Sequence, residues 1–315
     1  MEEYYDNNQV TGIDIDIMRA ISDELGMDIQ VEDMAFDSII AAITSGKVNV
    51  GASGFTVTEE RKKNINFTDT YITTKQVIIV KGDSDTQKAS IGEKFYDNFI
   101  KDSRYMYIVK GLGNTILITL LAVTIGIILG FIIAIIRTGY DRNGELPILN
   151  AICKVYLTVM RGTPVMIQLL IIYYVILASA TNKIMVAAIA FGLNSAAYVA
   201  EIVRSGIMSV DIGQFEAGRS LGLNYQQTMQ SIILPQAIKN ILPALLNEVI
   251  SLLKETSIRG YIGLMDLTKG GDIIRSVTYE AFMPLIAVAV IYLLMVVGLS
   301  KAVGVLERKL RNNER

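Results

Sequence analysis

Side chains that commonly catalyse reactions are scarce in this chain of 315 residues. It contains no histidine and a single cysteine, Cys153, so it lacks the usual ligands of a zinc site and any Ser-His or Cys-His nucleophile. The phosphate-cradling sequence G-x-x-x-x-G-K followed by Ser or Thr does not occur in it either. We therefore expect no catalytic site, no metal ion and no cofactor bound by this chain.

Arg61 has the chemistry of a carboxylate ligand, because a planar guanidinium can grip a carboxylate through two parallel hydrogen bonds. It stands beside Lys62 and Lys63, however, and such a run of bases is also typical of a solvated turn. On the residues alone, a ligand contact and a solvated turn both stay open.

A stripe of polar residues has helical spacing inside an apolar stretch. Asn194, Tyr198 and Glu201 follow one another at intervals of four and three, so they share one face of a helix. Such residues either line a pathway or hydrogen-bond neighbouring helices, and the sequence leaves both open. In a second place, Pro164 would start or kink a helix, and Thr163 can satisfy the backbone groups that the proline frees. We count Thr163 and Pro164, with the stripe, among the candidate residues of a translocation pathway.

The elements that position these residues are apolar runs long enough to cross a membrane. Of all residues, 51% are hydrophobic and 19% charged, and the mean hydropathy of +0.42 is too high for an ordinary soluble domain. A helix that crosses a hydrocarbon core of roughly 30 Å needs about 20 residues with few charges. Five runs predict an all-α membrane region with five spans, at residues 111–136, 162–182, 184–200, 234–253 and 281–300.

The distribution of charge predicts the orientation. Residues 1–90 hold 16 acidic and 8 basic residues, whereas residues 91–315 hold 15 and 21. Bases crowd the loops after the first and third spans and the C-terminal tail, which the positive-inside rule assigns to the cytoplasm. We therefore expect a multi-pass protein of the plasma (inner) membrane with an extracytoplasmic N-terminus and a cytoplasmic C-terminus. We expect no nucleic-acid partner, and a natural start upstream of Met1, since no secretory signal precedes the head.

The polar head has the alternation of a small α/β lobe. Its pattern predicts strands at residues 13–17, around Ile29 and Val31, and at 48–52, with helices at 18–25 and 36–44. Gly26 and Gly46 would end the two helices. This β-α-β-α-β order is typical of the beginning of an α/β domain.

Several segments of the head match a known family: Gly12-Ile13-Asp14-Ile15-Asp16, Phe36, Ser45-Gly46-Lys47-Val48-Asn49, Gly54-Phe55-Thr56-Val57-Thr58-Glu59-Glu60-Arg61 and Phe67-Thr68-Asp69-Thr70-Tyr71. They resemble the first lobe of the extracytoplasmic polar amino-acid-binding proteins of ABC importers, over about residues 3–81. The resemblance implies that Arg61 clamps the α-carboxylate of an amino acid. It also implies that Gly54 and Thr56 hydrogen-bond the amino-acid backbone and that Phe36 stacks on the ligand. Since that family closes two lobes on its ligand, we expect this truncated lobe to bind no amino acid measurably.

A segment between the third and fourth predicted spans combines acidic, small and apolar residues at fixed spacing: Glu216-Ala217-Gly218, Gly222, Ile232 and Leu234-Pro235. It resembles the EAA signature of ABC-importer permeases, with Gly218 in place of the second alanine. The resemblance implies a coupling loop at residues 211–235 whose short helix docks in a groove of a separate ATPase subunit. There Glu216 offers a charge to the partner and Gly222 permits the turn between two helices. Glycine instead of alanine costs about 1 kcal/mol of helix stability.

The rest of the body matches the same family in three further segments: Arg161-Gly162-Thr163-Pro164, Leu193-Asn194-Ser195-Ala196-Ala197-Tyr198 with Glu201 and Arg204, and Leu253-Lys254-Glu255-Thr256-Ser257. Over about residues 95–310 it is similar to the polar amino-acid branch of these permeases. The resemblance implies the type I ABC importer permease fold and an importer of polar amino acids driven by ATP that a partner hydrolyses. The implied partners are two ATPase copies, a second permease that is either this chain or a homologue, an extracytoplasmic amino-acid-binding protein, the amino acid itself and membrane lipid.

The sequence thus divides into a truncated lobe at 1–82, a linker with an interfacial amphipathic segment at 83–110, a membrane domain at 111–310 and a tail at 311–315. The alternatives are an amino-acid-responsive membrane receptor and a ligand-gated channel built on a binding-protein lobe. A channel would need a second lobe segment after its spans and a pore loop, for which Tyr261-Ile262-Gly263 is a poor filter. The coupling loop argues against a receptor that only signals.

Overall fold

The structure, a computed structural model, describes residues 4–6, 9–73, 90–257 and 262–312. The head contains β1 (Tyr4–Asp6), β2 (Gln9–Thr11), α1 (Ile13–Leu25), α2 (Phe36–Thr44) and α3 (Glu59–Lys62). The helices of the body are α4 (Ile91–Phe95), α5 (Tyr105–Asn143), α6 (Pro147–Gly162), α7 (Val165–Ile171), α8 (Lys183–Met208), α9 (Ile212–Ser220), α10 (Tyr225–Thr228), α11 (Leu234–Glu255), α12 (Leu267–Thr278) and α13 (Phe282–Asn312). The predicted boundary at 82/83, the linker residues 83–89 and residues 313–315 of the tail lie outside the described residues.

The head is less regular than its sequence predicts. The predicted strand at residues 13–17 is wrong, because α1 begins at Ile13 and continues to Leu25. Asp14 and Asp16 lie in the first turn, where negative side chains interact favourably with the positive end of the helix dipole. This interaction outweighs the strand preference of a short alternation of isoleucines. The helix ends, as predicted, at Gly26, which has the left-handed φ of 63°.

The other predicted strands of the head are also wrong. Residues 29–31 and 48–52 form no ladder, and within the described residues the sheet is the antiparallel hairpin of β1 and β2, in which Tyr4 faces Thr11. A parallel strand gains its hydrogen bonds only from neighbours brought to it by a crossover, whereas a hairpin pairs locally. The helix predicted at 36–44 is present as α2, and Gly46 follows it with φ 71°.

Three helices, α5, α8 and α13, are long and apolar enough to cross a membrane. A fourth candidate is the pair formed by α6 and α7, the latter extended by a π-helical turn (Ile172–Ile176), with a bend of 110° between them. The structure therefore has three candidate spans within the described residues, or four with the bent pair, and the predicted number of five is not confirmed.

The second predicted span, at 162–182, is wrong as a continuous helix. Gly162 ends α6, Thr163 is extended with φ −120° and ψ 147°, and Pro164 stands directly before α7. Proline forces the preceding residue out of the helical region and lacks an N–H for the helix ladder, so the chain turns here.

The fourth predicted span, at 234–253, is present as the 22-residue helix α11, which is not among the apolar candidate spans. Lys239, Glu248, Lys254 and Glu255 lie within it and lower its hydropathy. Its length is thus sufficient, while its composition indicates a helix that lies beside protein or a polar cavity rather than among lipid chains alone.

Helix α8 is the centre of the body. In its apolar window 72% of the residues are buried, against 28% for α5 and 11% for α13. The close contact with α5 depends on glycines, because a Cβ at Gly126 would lie 3.0 Å from the Cβ of Ser195 and one at Gly130 would lie 2.5 Å from Cγ1 of Val199. Small residues at such a crossing let two backbones approach closely, so α8 holds the body together through packing.

Candidate functional site

The coupling segment, which we define as residues 211–235, folds as two short helices joined by a glycine turn. Asp211 caps α9 by accepting a hydrogen bond from the backbone N–H of Gly213 at 2.6 Å. Gly222 adopts φ 79°, which permits the turn predicted there. Asn224 and Gln227 then form a reciprocal capping box that starts α10.

Gly218 marks the place where the two helices of the coupling segment touch. A Cβ at this position would lie 2.6 Å from Cγ2 and 2.7 Å from Oγ1 of Thr228, and both residues are buried. The rings of Phe215 and Tyr225 stack beside this contact with centroids 6.3 Å apart. Glycine therefore stands in place of the second alanine because the neighbouring helix leaves no room for a methyl group.

The remaining residues of the predicted signature divide between an outer and an inner side. Glu216 and Ala217 are exposed, and Leu221 is 77% exposed next to them. Ile232 packs against the cluster around Ile233, at the end of the π-helical turn (Met229–Ile233). Leu234 and Pro235 open α11, where the missing N–H of proline falls in the first turn and needs no partner.

A buried polar cluster fixes the bend between α6 and α7. Asn194 is 3% exposed, and its Nδ2 donates to the carbonyl of Met160 at 3.1 Å and to Oε1 of Gln168 at 2.9 Å. Nε2 of Gln168 donates in turn to the carbonyls of Met160 and Thr163 and to Oγ1 of Thr163, at 2.8, 3.0 and 2.8 Å. These contacts satisfy the backbone groups that Pro164 leaves open. Gln168 was missed by sequence reasoning, although a glutamine inside an apolar run signals such a role.

The other two residues of the polar stripe have different surroundings. Tyr198 is 37% exposed, and the guanidinium of Arg161 lies 5.8 Å from its ring centroid. Glu201 pairs with Arg204 at 2.8 Å and with Arg161 at 3.9 Å, and Arg204 also reaches Asp141 at 3.5 Å. The stripe thus combines one buried interhelical residue with two residues on a partly open, charged surface.

A second polar contact inside the body was not singled out from the sequence. Oγ of Ser195 donates to Oε1 of Glu248 at 2.9 Å, which joins α8 to α11. The pair lies at a cavity of about 110 Å³ with otherwise apolar walls, formed by Val123, Ile127, Val199, Leu242, Leu245, Leu246 and Val249. The signal in the sequence is the single carboxylate within the apolar run of the fourth predicted span.

The head brings the predicted amino-acid contacts close to one another. The rings of Phe36 and Phe55 stack with centroids 4.6 Å apart, and the guanidinium of Arg61 lies within 5.9 Å of both. Nη1 of Arg61 donates to the carbonyl of Thr56 at 2.8 Å, and both line a cavity of about 600 Å³. Gly54 is exposed, with open space around it. Among the described residues this site is built from one lobe, and Arg61 already has the carbonyl of Thr56 as a partner.

The head and the coupling segment lie at opposite ends of α8. Glu32 of the head pairs with Lys183, the first residue of α8, whereas Asp211, which caps the coupling segment, follows the last residue, Met208, by three positions. A helix of 26 residues is about 39 Å long, which is enough to separate the two faces of a membrane.

Known proteins match both parts of this architecture. The family model of the bacterial extracellular solute-binding proteins, family 3, matches residues 1–263. The putative glutamine transport system permease protein GlnP of Rickettsia bellii is 39% identical over 219 residues, which cover 68% of this chain and 98% of that protein. The chain belongs to the polar amino-acid ABC permeases. It also belongs to the family 3 solute-binding proteins, and this permease carries a binding-protein-like lobe.

Further relatives agree with this membership. The arginine transport system permease protein ArtQ of Bacillus subtilis is 38% identical over 211 residues, covering 66% of this permease and 94% of that protein. The crystal structure of an amino acid ABC transporter with histidines has 43% sequence identity and a TM-score of 0.61, over 67% of this chain and 98% of that one. The inward-facing MetNI methionine ABC transporter, at 20% identity and a TM-score of 0.57, shows the shared fold.

These findings confirm the predicted function of the chain as a membrane permease of an amino-acid ABC transporter, which is not itself an enzyme. They support neither the receptor nor the ligand-gated channel. The mostly helical permease fold with a binding-protein-like lobe is likewise confirmed, whereas the individual site residues stay predictions.

Proposed function

We propose that this ABC permease couples to a separate ATPase through the coupling segment. The observation that carries the proposal is the division of α9 into two sides. Gly218 and Phe215 pack against α10, so the helix is held rigidly, while Glu216 and Ala217 face outward. A rigid helix with small and acidic residues on its free side suits a groove in a partner. Two ATPase copies and a second permease, this chain or a homologue, complete the transporter, and ATP is bound and hydrolysed by the partner.

The position of the two ends of α8 supports a definite orientation. If the coupling segment meets an ATPase in the cytoplasm, the head at the other end of α8 is extracytoplasmic and the C-terminus, beyond α13, is cytoplasmic. This orientation in the plasma (inner) membrane agrees with the basic residues that follow α13's apolar part, Lys301 and Arg308 among them.

The substrate is a polar amino acid, and Glu248 with Ser195 contacts it on its way through the body. The relatives are named for glutamine and arginine transport, and a carboxylate beside a hydroxyl suits the donor groups that such amino acids share. Tyr198 and Glu201 continue the pathway along α8, while Thr163, Pro164 and Asn194 hold the bend beside it. The amino acid reaches the permease from an extracytoplasmic binding protein, since the part of the head that the structure describes supplies one lobe of a clamp that needs two.

The coupling proposal is tested by co-purification of the ATPase subunit with the permease. Glu216→Lys and Gly222→Phe should each abolish co-purification while the variant still inserts into the membrane. Glu307→Lys is the matched control, because it makes the same change at an exposed position of α13 on the same predicted side. Retention of the ATPase by both coupling variants would show that this segment is not the docking site.

The pathway proposal is tested by amino-acid uptake in vesicles that contain the ATPase partner. Glu248→Gln removes the charge but keeps the shape, and Ser195→Ala removes the hydroxyl; both should lower uptake while the ATPase still co-purifies. Wild-type uptake in both variants would exclude this pair from the pathway.

A further inference from the structure

The segment that precedes α5 carries an apolar stripe that leaves the body. Ile91, Phe95 and Phe99 follow one another at intervals of four, so they lie on one side of α4 and of the π-helical turn that continues it (Tyr96–Ile100). Phe99 is 8% exposed and packs in a cluster with apolar residues of α12 and α13, whereas Phe95 is 52% and Ile91 80% exposed. The stripe therefore begins inside the protein and ends outside it.

A buried asparagine fixes this segment against the turn between α12 and α13. Nδ2 of Asn98 donates to Oε2 of Glu280 at 3.2 Å and to the carbonyl of Lys94 at 2.8 Å, and its Oδ1 accepts from Oγ1 of Thr278 at 2.9 Å. The carboxylate of Glu280 also accepts from the first two backbone N–H groups of α13, at 3.1 and 3.3 Å. Both ends of the Asn98 amide are bonded, so the segment has a defined position on the body.

Arg104 fixes the other end of the segment, where the chain turns into α5. Its Nη1 donates to the carbonyl of Asp97 at 2.6 Å, and its Nη2 lies 2.8 Å from Oδ2 of Asp102. Asp102 and Ser103 have left-handed φ values of 53° and 54°, which are uncommon for residues other than glycine. The segment is thus a folded platform with two attachments.

The turn beside Asn98 presents further aromatic rings. Tyr279 is 78% exposed although its φ of 54° is a strained conformation for a bulky residue, and Phe282 is 71% exposed. Both chain neighbours of Tyr279 contact Asn98, so these rings lie beside the stripe. We define the interfacial surface as the exposed apolar side chains of these two parts, Ile91, Phe95, Tyr96, Tyr279 and Phe282.

The interfacial surface is continuous with the membrane-spanning part of the permease. The candidate spans α5 and α13 begin at Tyr105 and Phe282, next to it, and only 11% of the apolar window of α13 is buried. An apolar cluster of this kind marks a contact with protein or membrane, and aromatic side chains are favoured where hydrocarbon meets headgroups. Residues 91–105 hold three acidic and three basic residues, so their charge favours no charged partner. A lipid surface therefore fits it best.

We propose that the interfacial surface lies in the lipid at the membrane boundary, with Ile91 and Phe95 among the upper acyl chains and the two tyrosines at headgroup depth. The partner is phospholipid, bound through apolar contact rather than through charge. Asn98 is a positioning residue, because it holds the platform at one depth beside the starts of α5 and α13. The contact is the same whichever face of the membrane this boundary belongs to.

The proposal is tested by fluorescence, since the chain contains no tryptophan and an introduced one is the reporter. Full-length permease carrying Phe95→Trp or Phe282→Trp is placed in phosphatidylcholine vesicles with brominated acyl chains. Each should lose about half of its emission or more, and bromines near the headgroup should quench more than bromines near the chain ends. Tyr225→Trp, a similarly exposed ring in the coupling segment, is the control and should lose less than about a tenth.

Quenching of Phe95→Trp no stronger than that of Tyr225→Trp would overturn the proposal, because the surface would then lie in water or under protein. Replacing part of the phosphatidylcholine by phosphatidylglycerol should leave the quenching unchanged. A rise of about twofold or more would show that charge attracts the lipid, and would overturn the apolar basis of the contact. All these measurements use the permease without its ATPase, so they are independent of the coupling proposal.

The role of Asn98 is tested by hydrogen exchange in peptides that cover residues 91–104. Asn98→Ala should accelerate exchange about fivefold or more, whereas Asp97→Ala, the same truncation of an exposed neighbour, should not. Asn98→Ala should also remove the preference of Phe95→Trp for bromines near the headgroup, while Phe282→Trp, on α13, keeps it. Equal exchange in the two alanine variants, or an unchanged depth preference at position 95, would overturn the positioning role.

Discussion

Restoring the family's alanine at Gly218 should fail to stabilise this protein, contrary to what helix propensity alone suggests. In an exposed helix, Gly→Ala gains about 1 kcal/mol. Here the new Cβ would lie 2.6 Å from Cγ2 of Thr228, and overpacking of this kind costs about 1–3 kcal/mol. We expect Gly218→Ala to be neutral to destabilising by about 2 kcal/mol. Gly304→Ala, whose new methyl group meets open space on α13, should gain the full stabilisation of about 1 kcal/mol.

The assay is thermal unfolding of the purified permease, with co-purification of the ATPase as a second measurement. The two alanine variants should differ by about 1–3 kcal/mol, and Gly218→Ala should also bind less ATPase, because α9 is displaced from α10. Thr228→Ala removes both atoms within 3 Å of the new methyl group and leaves its Cβ at 3.2 Å. A double-mutant cycle of positions 218 and 228 should therefore show a favourable interaction of about 0.5–3 kcal/mol. Equal stability of Gly218→Ala and Gly304→Ala, together with no interaction in the cycle, would refute the packing argument.

Three further predictions follow from the surroundings of single residues. In a background without the native cysteine, a cysteine at position 198 should react with a water-soluble thiol reagent, and its reaction rate should change when the ATPase traps ATP. A cysteine at position 194 should stay unreactive, since the exposed fractions of Tyr198 and Asn194 are 37% and 3%. Equal reactivity at the two positions would contradict this prediction. Arg61→Ala should leave amino-acid binding and uptake unchanged, because we expect a site built from one lobe to bind no amino acid measurably; a saturable heat in calorimetry that the substitution abolishes would show that the half-site suffices. Gly130→Ala should lower the stability by about 1–3 kcal/mol in thermal unfolding, whereas Gly113→Ala, which meets open space on the same helix, should not; equal melting temperatures would argue against close packing of α5 on α8.

Features that depend on nearby residues could be predicted from the sequence. Hydropathy and length predict α5, α8 and α13, because the cost of placing charges in hydrocarbon is a property of the run itself. Gly26 and Gly222 have the left-handed backbone expected of a helix end and a turn, since only glycine adopts it without strain. The resemblance of the coupling segment to the EAA signature predicts membership of the permease family, which the relatives confirm.

Other local patterns are compatible with two structures, and interactions with neighbouring residues decide which of the two forms. The alternation at 13–17 suits a strand as well as the start of an acidic helix, and within the described residues no strand lies beside it to form a ladder. The apolar run at 162–182 has the composition of one span, yet Pro164 and the side chain of Gln168 stabilise a bend within it.

Contacts between residues far apart in the chain were decided only by the tertiary structure. Asn194 is an interhelical residue because Met160 of α6 and Gln168 of α7 reach it, which its spacing to Tyr198 does not reveal. Gly263 lies against the carbonyl of Asp33, about 230 residues earlier in the chain, and Lys183 pairs with Glu32 beside it. Both contacts form only when the chain has folded. Helix periodicity and hydropathy fix which face of an element is apolar, whereas the partner of that face depends on how all elements pack at once.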